Sequence, residues 1–317
     1  MTTTDVYEQA LRAAVRAPSV HNTQPWRFVV APPFVELHLD RDRVLQIADP
    51  TAREARMSCA AALFNLRIAL QAAGHAVVAD LLPDADRPDL LAVVRVGGVR
   101  PATPEQRTLA QAITRRATNR RPFSDRPVPS SHRHALIHAA EVEHAHLVLL
   151  DTPKKLDTFA TLLRRAEHVQ QEDPAFQREL REWTTRDGGD GVPRSAGGPR
   201  PDSGSLIVPR QYPFESTVER SFERDPLASV LVTHGDSPRD HLNAGLAMQR
   251  VLLTTTVLGL SASFLSQPVE VAHTRTALRT LLDLPGQAQA ALRIGYGHPA
   301  ALTPRRPVSA VTVGPGS

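Results

Sequence analysis

Residues 55–97 read ARMSCAAALFNLRIALQAAGHAVVADLLPDADRPDLLAVVRVG, and residues 240–295 read DHLNAGLAMQRVLLTTTVLGLSASFLSQPVEVAHTRTALRTLLDLPGQAQAALRIG. Each begins with apolar residues three and four apart, the spacing of a long amphipathic helix, and each helix runs into a glycine stop, Gly74 or Gly259. A strand-like stretch follows in both, AVVADLLP or SASFLSQP, closing on a proline. Both copies then end on a short strand, LLAVVRVG or QAALRIG, after loops of different length. The pattern predicts one helix–strand–strand unit used twice, with the two long helices facing each other in a pseudo-twofold core. Helix–loop–strand is a common order, so coincidence is the competing reading.

The flanking stretches correspond too, but they have diverged in opposite ways. EQALRAAVRAPSVHNTQPWRFVVA in the first half reads as a helix, a polar loop and a strand. RHALIHAAEVEHAHLVLLD in the second half reads as the same helix and strand without the polar loop. Conversely, the arginine-rich ITRRATNRRPFSDRPVP that leads the second half has no counterpart before Val6. Each half keeps what the other has lost, which predicts one composite site assembled across the interface of an internal pseudo-dimer. The expected division is 1–112 and 113–317, both α+β. Within the second half the periodicity fails over about 167–226, where QRELREWTTRD and GGDGVPRSAGGPRPDSGS lie. An irregular insertion of that length predicts a lid, anchored by Trp183, Tyr212 and Phe214.

Composition removes several function classes. With 317 residues and 41% apolar content the chain can bury a large core, and 22% charged residues is ordinary for a globular protein. The most apolar stretch, 251–265, is broken by three threonines, a glycine and two serines, so no membrane span is expected. The N-terminus has acids at Asp5 and Glu8 and no signal-peptide pattern, and the lone Cys59 rules out a disulfide framework. A cytoplasmic protein is the expectation. Of 37 basic residues only Lys154 and Lys155 are lysine, a skew of genome composition more than of function. The Arg115, Arg116, Arg120, Arg121 cluster has no aromatic stacking platform beside it, so no nucleic-acid partner is expected.

Other chemistries fare no better. His134 and His138 are four apart, and His144 and His146 share a strand face, but a metal site would need a third ligand such as Glu141 or Glu143; none is assigned. Gly295 and Gly297 lack the third glycine and following helix of a dinucleotide fingerprint, and Ser261 lacks the second glycine of a nucleophile elbow. Trp26 reads equally well as a core aromatic opening a strand.

The stretch Pro18, Ser19, Val20, His21, Asn22, Thr23, Gln24, Pro25, Trp26 resembles the PSxxNxQPW loop of the FMN-dependent nitroreductase superfamily. Arg116 to Arg120, followed by Phe123 to Val128, resembles that family's opening arginine segment, and Pro304-Arg305-Arg306-Pro307 its basic C-terminal segment. Within the superfamily the chain is most similar to the actinobacterial Acg-like group, in length, in RRATNRRPF and in its long insertion. The resemblance implies a nitroreductase-like α+β fold and a homodimer fused into one chain, with a single FMN. It therefore also implies a monomer, although a homodimer of such chains stays open.

The resemblance further implies cofactor-binding roles for Pro18, Ser19, Val20, His21 and Asn22 along the ring and ribityl chain. Arg116, Thr118 and Arg305 or Arg306 would hold the phosphate, and Arg120 would lie near N1 and the C2 carbonyl. Ser266 and Gln267 would lie at the N5 edge, although the family's proline–apolar–glutamate–glycine pattern is absent there. The implied activity is ping-pong hydride transfer from NAD(P)H through FMN N5 to a nitroaromatic, quinone or similar acceptor, with no catalytic side chain required. The long insertion implies an alternative: a protein that sequesters or stores FMN beneath a closed lid. A specialised flavoenzyme for one metabolite is the third reading.

Overall fold

A computed structural model describes residues 3–184, 188–213, 218–283 and 285–314. The first part of the chain forms α1 (Thr3–Ala14), β1 (Trp26–Ala31), β2 (Phe34–Leu39), α2 (Arg53–Ala72), β3 (His75–Leu81), β4 (Leu90–Val99) and α3 (Pro104–Ile113). There follow α4 (Ser130–Glu141), β5 (His146–Leu149), α5 (Pro153–Glu172), α6 (Pro174–Thr184), β6 (Arg200–Pro201), β7 (Glu219–Arg220) and β8 (Leu227–Thr233). The chain closes with α7 (Pro238–Val257), β9 (Ser261–Phe264), α8 (Gln267–Glu270), α9 (Ala272–Leu282), β10 (Gln287–Gly295) and β11 (Thr312–Val313). The fold is α+β, with two mainly antiparallel sheets around long helices. No helix among the described residues is long and apolar enough to cross a membrane.

Both stretches fold as a long helix and two antiparallel strands, the second with α8 and α9 between its strands. Gly74 (φ 90°) follows α2 and Gly259 (φ 69°) follows α7, each in the left-handed region where a glycine ends a helix without Cβ strain. One sheet has the order β11-β1-β2-β4-β3 and the other β5-β8-β10-β9. Without β11, which joins β1 in parallel, both sheets run first, second, fourth, third in chain order with antiparallel neighbours throughout. Trp26 opens β1 and is fully buried, as a strand-opening core aromatic should be.

The long helices α2 and α7 pack against each other at the centre, and one apolar cluster runs from Leu11 through Leu63 and Phe64 to Leu253 and Leu292. The approach is set by Gly245, where an added Cβ would lie 2.2 Å from the Met57 carbonyl oxygen and 2.6 Å from the Ala60 Cβ. Only hydrogen fits there, so the sequence motif Asn243-Ala244-Gly245 is what lets the helix backbones touch. A smaller cluster including Phe159, Leu163, Val230 and Leu278 packs α5 and α9 on the second sheet's other side. That sheet is covered on both faces, which is why all of β8, LASVLVT, is buried.

The expected irregular run over 167–226 needs correction. Residues 167–184 are helical, because α5 continues to Glu172 and α6 restarts at once. Asp173 Oδ1 accepts from Ala175 N at 2.8 Å and Phe176 N at 3.3 Å, capping the new helix, whose first residue is Pro174. Phe176, Leu180 and Trp183, spaced four and three apart, are its buried stripe. The irregular part is therefore 188–213 and 218–226, and Phe214, expected as an anchor, lies outside the described residues.

Candidate functional site

The loop between α1 and β1 is held in a conformation that its residues rarely adopt unaided. His21 (φ 48°), Asn22 (φ 58°) and Gln24 (φ 54°) are all left-handed. Such strain persists only where neighbours over-determine it, and here the loop itself and two distant segments do. Ser19 Oγ accepts from Gln24 N at 2.9 Å. Asn22 Nδ2 donates to Gly191 O at 2.9 Å and Pro304 O at 3.1 Å. Gln24 Nε2 donates to Gly189 O at 2.7 Å, while its Oε1 accepts from Arg306 N at 2.9 Å. The loop is thus clamped between the insertion and the C-terminal segment.

At the loop's near end lies a buried cationic cradle. Arg116 Nη2 and Arg305 Nη2 both point at the Arg16 carbonyl, at 3.5 and 3.4 Å, and Arg305 also donates to Ala17 O at 3.0 Å. These carbonyls follow the C-terminus of α1, where cations are favoured. That contact is weak repayment for the charge. Among the described residues neither guanidinium has an ion-pair partner, and Arg116 Nε and Nη1 and Arg305 Nε have no hydrogen-bond partner. Burial, with Arg16 as neighbour, pulls the Arg116 pKa down to about 10. Burial, then Arg116 and Arg16, pulls Arg305 down to about 9. Cations that repel one another, with unused donors, have the chemistry to accept an anion such as a phosphate.

Immediately beyond the cradle, Pro18, Ser19, Val20 and His21 form one wall of a cavity. Helix α2 contributes Glu54, Met57 and Ser58; the second half contributes Met248, Phe264, Ser266 and Gln289. Arg210 and Tyr212, from the segment 188–213, line the cavity as well, and Arg120 stands beside them. The Arg120 guanidinium sits 4.9 Å from the Tyr212 ring centroid, and its Nη1 donates to Ala196 O at 3.0 Å. An added Cβ on Gly198 would lie 2.3 Å from the Arg120 carbonyl, so the insertion presses directly on this residue. His21 meets Tyr212 edge-on at 6.2 Å; burial, then Arg210 and Arg120, hold its pKa well below the usual value, so the imidazole is neutral. The free space is about 70 Å³, well below the ~150 Å³ that accepts a benzene ring.

Behind the cavity runs a buried charge network. Arg53 Nη2 donates to Glu54 Oε1 at 2.8 Å, and Arg53 Nη1 to Gln289 O at 2.6 Å. Arg210, from the insertion, pairs with Glu270 of α8 and donates to Gln170 Oε1 at 3.1 Å. Burial opposes the Arg210 charge, but Glu270, Tyr212 and Glu167 outweigh it and raise its pKa. On the opposite flank the fully buried Arg293 donates to Glu223 Oε1 at 2.9 Å and to Arg121 O at 2.8 Å, stacked 4.0 Å from Phe123 and 4.9 Å from Phe222. Asn119 N donates to Ala262 O at 2.8 Å beside the Thr118–Ala262 bridge. These contacts fix the segment 118–123.

The sequence-derived candidates divide as follows. Pro18, Ser19, Val20, His21, Arg120 and Ser266 line the cavity, while Arg116 and Arg305 form the cradle. Asn22 clamps the loop from outside, and Thr118 lies half-buried on the edge of β9. Gln267 turns away from the cavity, its Nε2 donating to Glu167 Oε2 at 3.0 Å. Arg305 and Arg306 separate: the Arg306 side chain donates to Ala310 O at 2.6 Å and faces Asp40. Sequence reading missed Arg16, Glu54 and Arg210. An acid in a helix's first turn reads as a dipole partner, and an arginine in an aperiodic insertion reads as solvated, so neither carried a signal.

A cationic cradle beside a small cavity, on an α+β scaffold, has the chemistry to accept a ligand with an anionic end. The nitroreductase family model matches residues 2–48. The chain is 31% identical, over 98% of its length and 96% of the relative's, to a Mycobacterium tuberculosis H37Rv protein with the provisional name NAD(P)H nitroreductase acg. It is 36% identical, over 96% of its length and 90% of the relative's, to a second H37Rv protein with the provisional name NAD(P)H nitroreductase Rv3131. Among solved structures, a nitroreductase with bound FMN from Bacteroides fragilis covers 66% of this chain and 96% of its own (TM-score 0.37, 14% identity). Bacillus-type NfrA2 of B. megaterium covers 66% of this chain and 74% of its own (TM-score 0.42, 12% identity). The chain belongs to the nitroreductase family.

Proposed function

We propose that the chain is an FMN-dependent oxidoreductase of nitroreductase type, binding one FMN in a composite site built from both halves of an internal pseudo-dimer. The observation that carries the proposal is the Arg116–Arg305 cradle: a buried Arg116 with two unpartnered donors beside a half-buried Arg305 that reaches only carbonyl and hydroxyl oxygens, with no carboxylate paired to either among the described residues, directly before the cavity-lining loop. The FMN phosphate supplies the missing negative charge, and the Pro18–His21 stretch then leads toward the cavity where the ring would lie. The matching order of the two sheets supports the division into halves at 1–112 and 113–317. A self-contained pseudo-dimer favours a monomer.

When bound, FMN would supply the two-electron hydride chemistry of a ping-pong exchange between NAD(P)H and a nitroaromatic, quinone or similar acceptor. The chain's own part is to hold and cover. Arg116 and Arg305 hold the phosphate. Arg120 places a positive charge against the ring, which favours the electron-rich state. Ser19 offers a hydroxyl, Ser266 another at the opposite wall. Thr118, Asn22 and Gln267 act by fixing the backbone around them. A tricyclic ring needs more room than the closed cavity provides, so Tyr212 must leave Arg120 for it to enter.

That same closure favours a second reading, FMN sequestration beneath the lid with little NAD(P)H-driven turnover. Titration of the flavin-free protein against FMN, followed by quenching of flavin fluorescence, tests the shared part of both. Saturation at one FMN per chain is expected; no quenching at any ratio would remove both.

A further inference from the structure

One cavity residue is left without a task by the reading above. Glu54 is buried, it lines the cavity, and its Oε2 has no hydrogen-bond partner among the described residues. Its other oxygen accepts from Arg53 Nη2 at 2.8 Å, and its backbone N–H donates to Asp49 Oδ1 at 3.1 Å. The groups that face it are Arg53 from its own helix, Asp49 from the turn before that helix, Glu270 from α8 and Arg210 from the insertion. The two cations are already occupied: Arg53 also serves Gln289 O and Val269 O, and Arg210 is paired with Glu270. Three carboxyl groups thus share two guanidiniums in a largely buried cluster, and one of the three keeps its proton more cheaply than its charge.

We propose that Glu54 is a neutral carboxylic acid in the cavity wall that donates a hydrogen bond, and then its proton, to an oxygen of an uncharged acceptor such as a quinone or a nitro compound. The inference rests on the FMN oxidoreductase reading for its source of electrons. A hydride brings two electrons and one proton, so the acceptor oxygen is left negative and one proton short. The O–H bond on Glu54 Oε2 breaks and an O–H bond forms on the acceptor. The carboxylate that remains is faced by Arg53 and Arg210, and it regains a proton from water once product leaves. Burial, then the nearby Glu270 charge, raises the Glu54 pKa to about 8, so the acid form is the one present at neutral pH. The residue selects for acceptors with a hydrogen-bond-accepting oxygen and is repulsive to acceptors carrying a carboxylate once it is itself ionised.

Glu54→Gln keeps the shape, the acceptor oxygen toward Arg53 and a hydrogen-bond donor, but carries no transferable proton. Two measurements on full-length protein test the proposal. Infrared spectroscopy of the flavin-free wild type should show a protonated-carboxyl carbonyl band that fades as pH rises through about 8 and is missing in Glu54→Gln. In FMN-loaded protein, Glu54→Gln should lower kcat for quinone reduction by about 100-fold with KM little changed, and should remove the fall in rate above about pH 8. Absence of the band in wild type overturns the proposal. So does a variant that binds FMN and keeps the wild-type rate and pH profile. A chain that binds no FMN at all overturns the oxidoreductase reading and this step together, which separates the two failures.

Discussion

Arg116→Met is expected to weaken FMN binding by about 100-fold or more, while the flavin-free chain stays at least as stable as the wild type. The two halves of this expectation have opposite signs for one reason. In the flavin-free chain Arg116 is a buried cation whose only side-chain hydrogen bond among the described residues is a 3.5 Å contact to the Arg16 carbonyl. Its desolvation is not offset by a carboxylate, and Arg16 and Arg305 repel it. Methionine of similar length removes that penalty and fills the space. With a phosphate present the account reverses, since charge-assisted hydrogen bonds to a buried cation contribute about 1.5–3 kcal/mol each. Thermal unfolding with and without FMN, beside fluorescence titration, measures both. Equal loss of stability and affinity would mean that Arg116 is merely structural. Arg305→Met would be less informative, because Arg305 also holds the Thr303, Pro304 and Ala17 carbonyls.

Glu223→Ala carries the largest expected loss of stability, about 3–5 kcal/mol. Arg293 is fully buried, and Glu223 is the only carboxylate paired with it among the described residues. Removing the acid strands a cation between Phe123 and Phe222 and leaves Phe123 N without the Glu223 Oε2 acceptor at 2.9 Å. For a chain of this size the melting temperature should fall by roughly 4–8 °C. A double variant, Glu223→Leu with Arg293→Met, should recover most of the loss, because a buried pair replaced by apolar groups of similar volume is often neutral. Because Arg293 also holds the Asn119 and Arg121 carbonyls, the single variant should additionally lose FMN through a misplaced Arg120. Melting curves of the three proteins decide this; a Glu223→Ala curve within a degree or two of wild type would contradict it.

The parts of the fold that were legible in the sequence are those governed by local chemistry. Helices α2 and α7 carried their apolar spacing and glycine stops, and β1 announced itself through Trp26 after a polar loop. The elements that were not legible depend on distant partners. Strand β11 pairs with β1 from almost the other end of the chain, with nothing in its own two residues to signal it. Helix α6 was hidden because the charged residues of QRELREWT mask a stripe of only Phe176, Leu180 and Trp183.

The candidate site divides along the same line. A motif can mark the loop and the arginine segment, but neighbouring residues of an extended tail point to opposite sides. Only the fold assigns Arg305 to the cradle and Arg306 to Asp40. Glu54 could not be found at all without knowing that Glu270 and Arg210, more than 150 residues away in the chain, would face it.

The central claim, that the covered cavity holds a flavin which exchanges electrons with an external donor, is tested most directly by one anaerobic absorbance experiment. FMN-loaded protein is followed at the long-wavelength flavin band as NADPH or NADH is added, and then dithionite. The proposed oxidoreductase predicts bleaching by the nicotinamide, with Tyr212→Ala bleaching at least as fast because the Arg120–Tyr212 closure is gone. A band that persists with both nicotinamides, in wild type and in Tyr212→Ala alike, yet bleaches with dithionite would contradict it and leave a protein that stores its flavin.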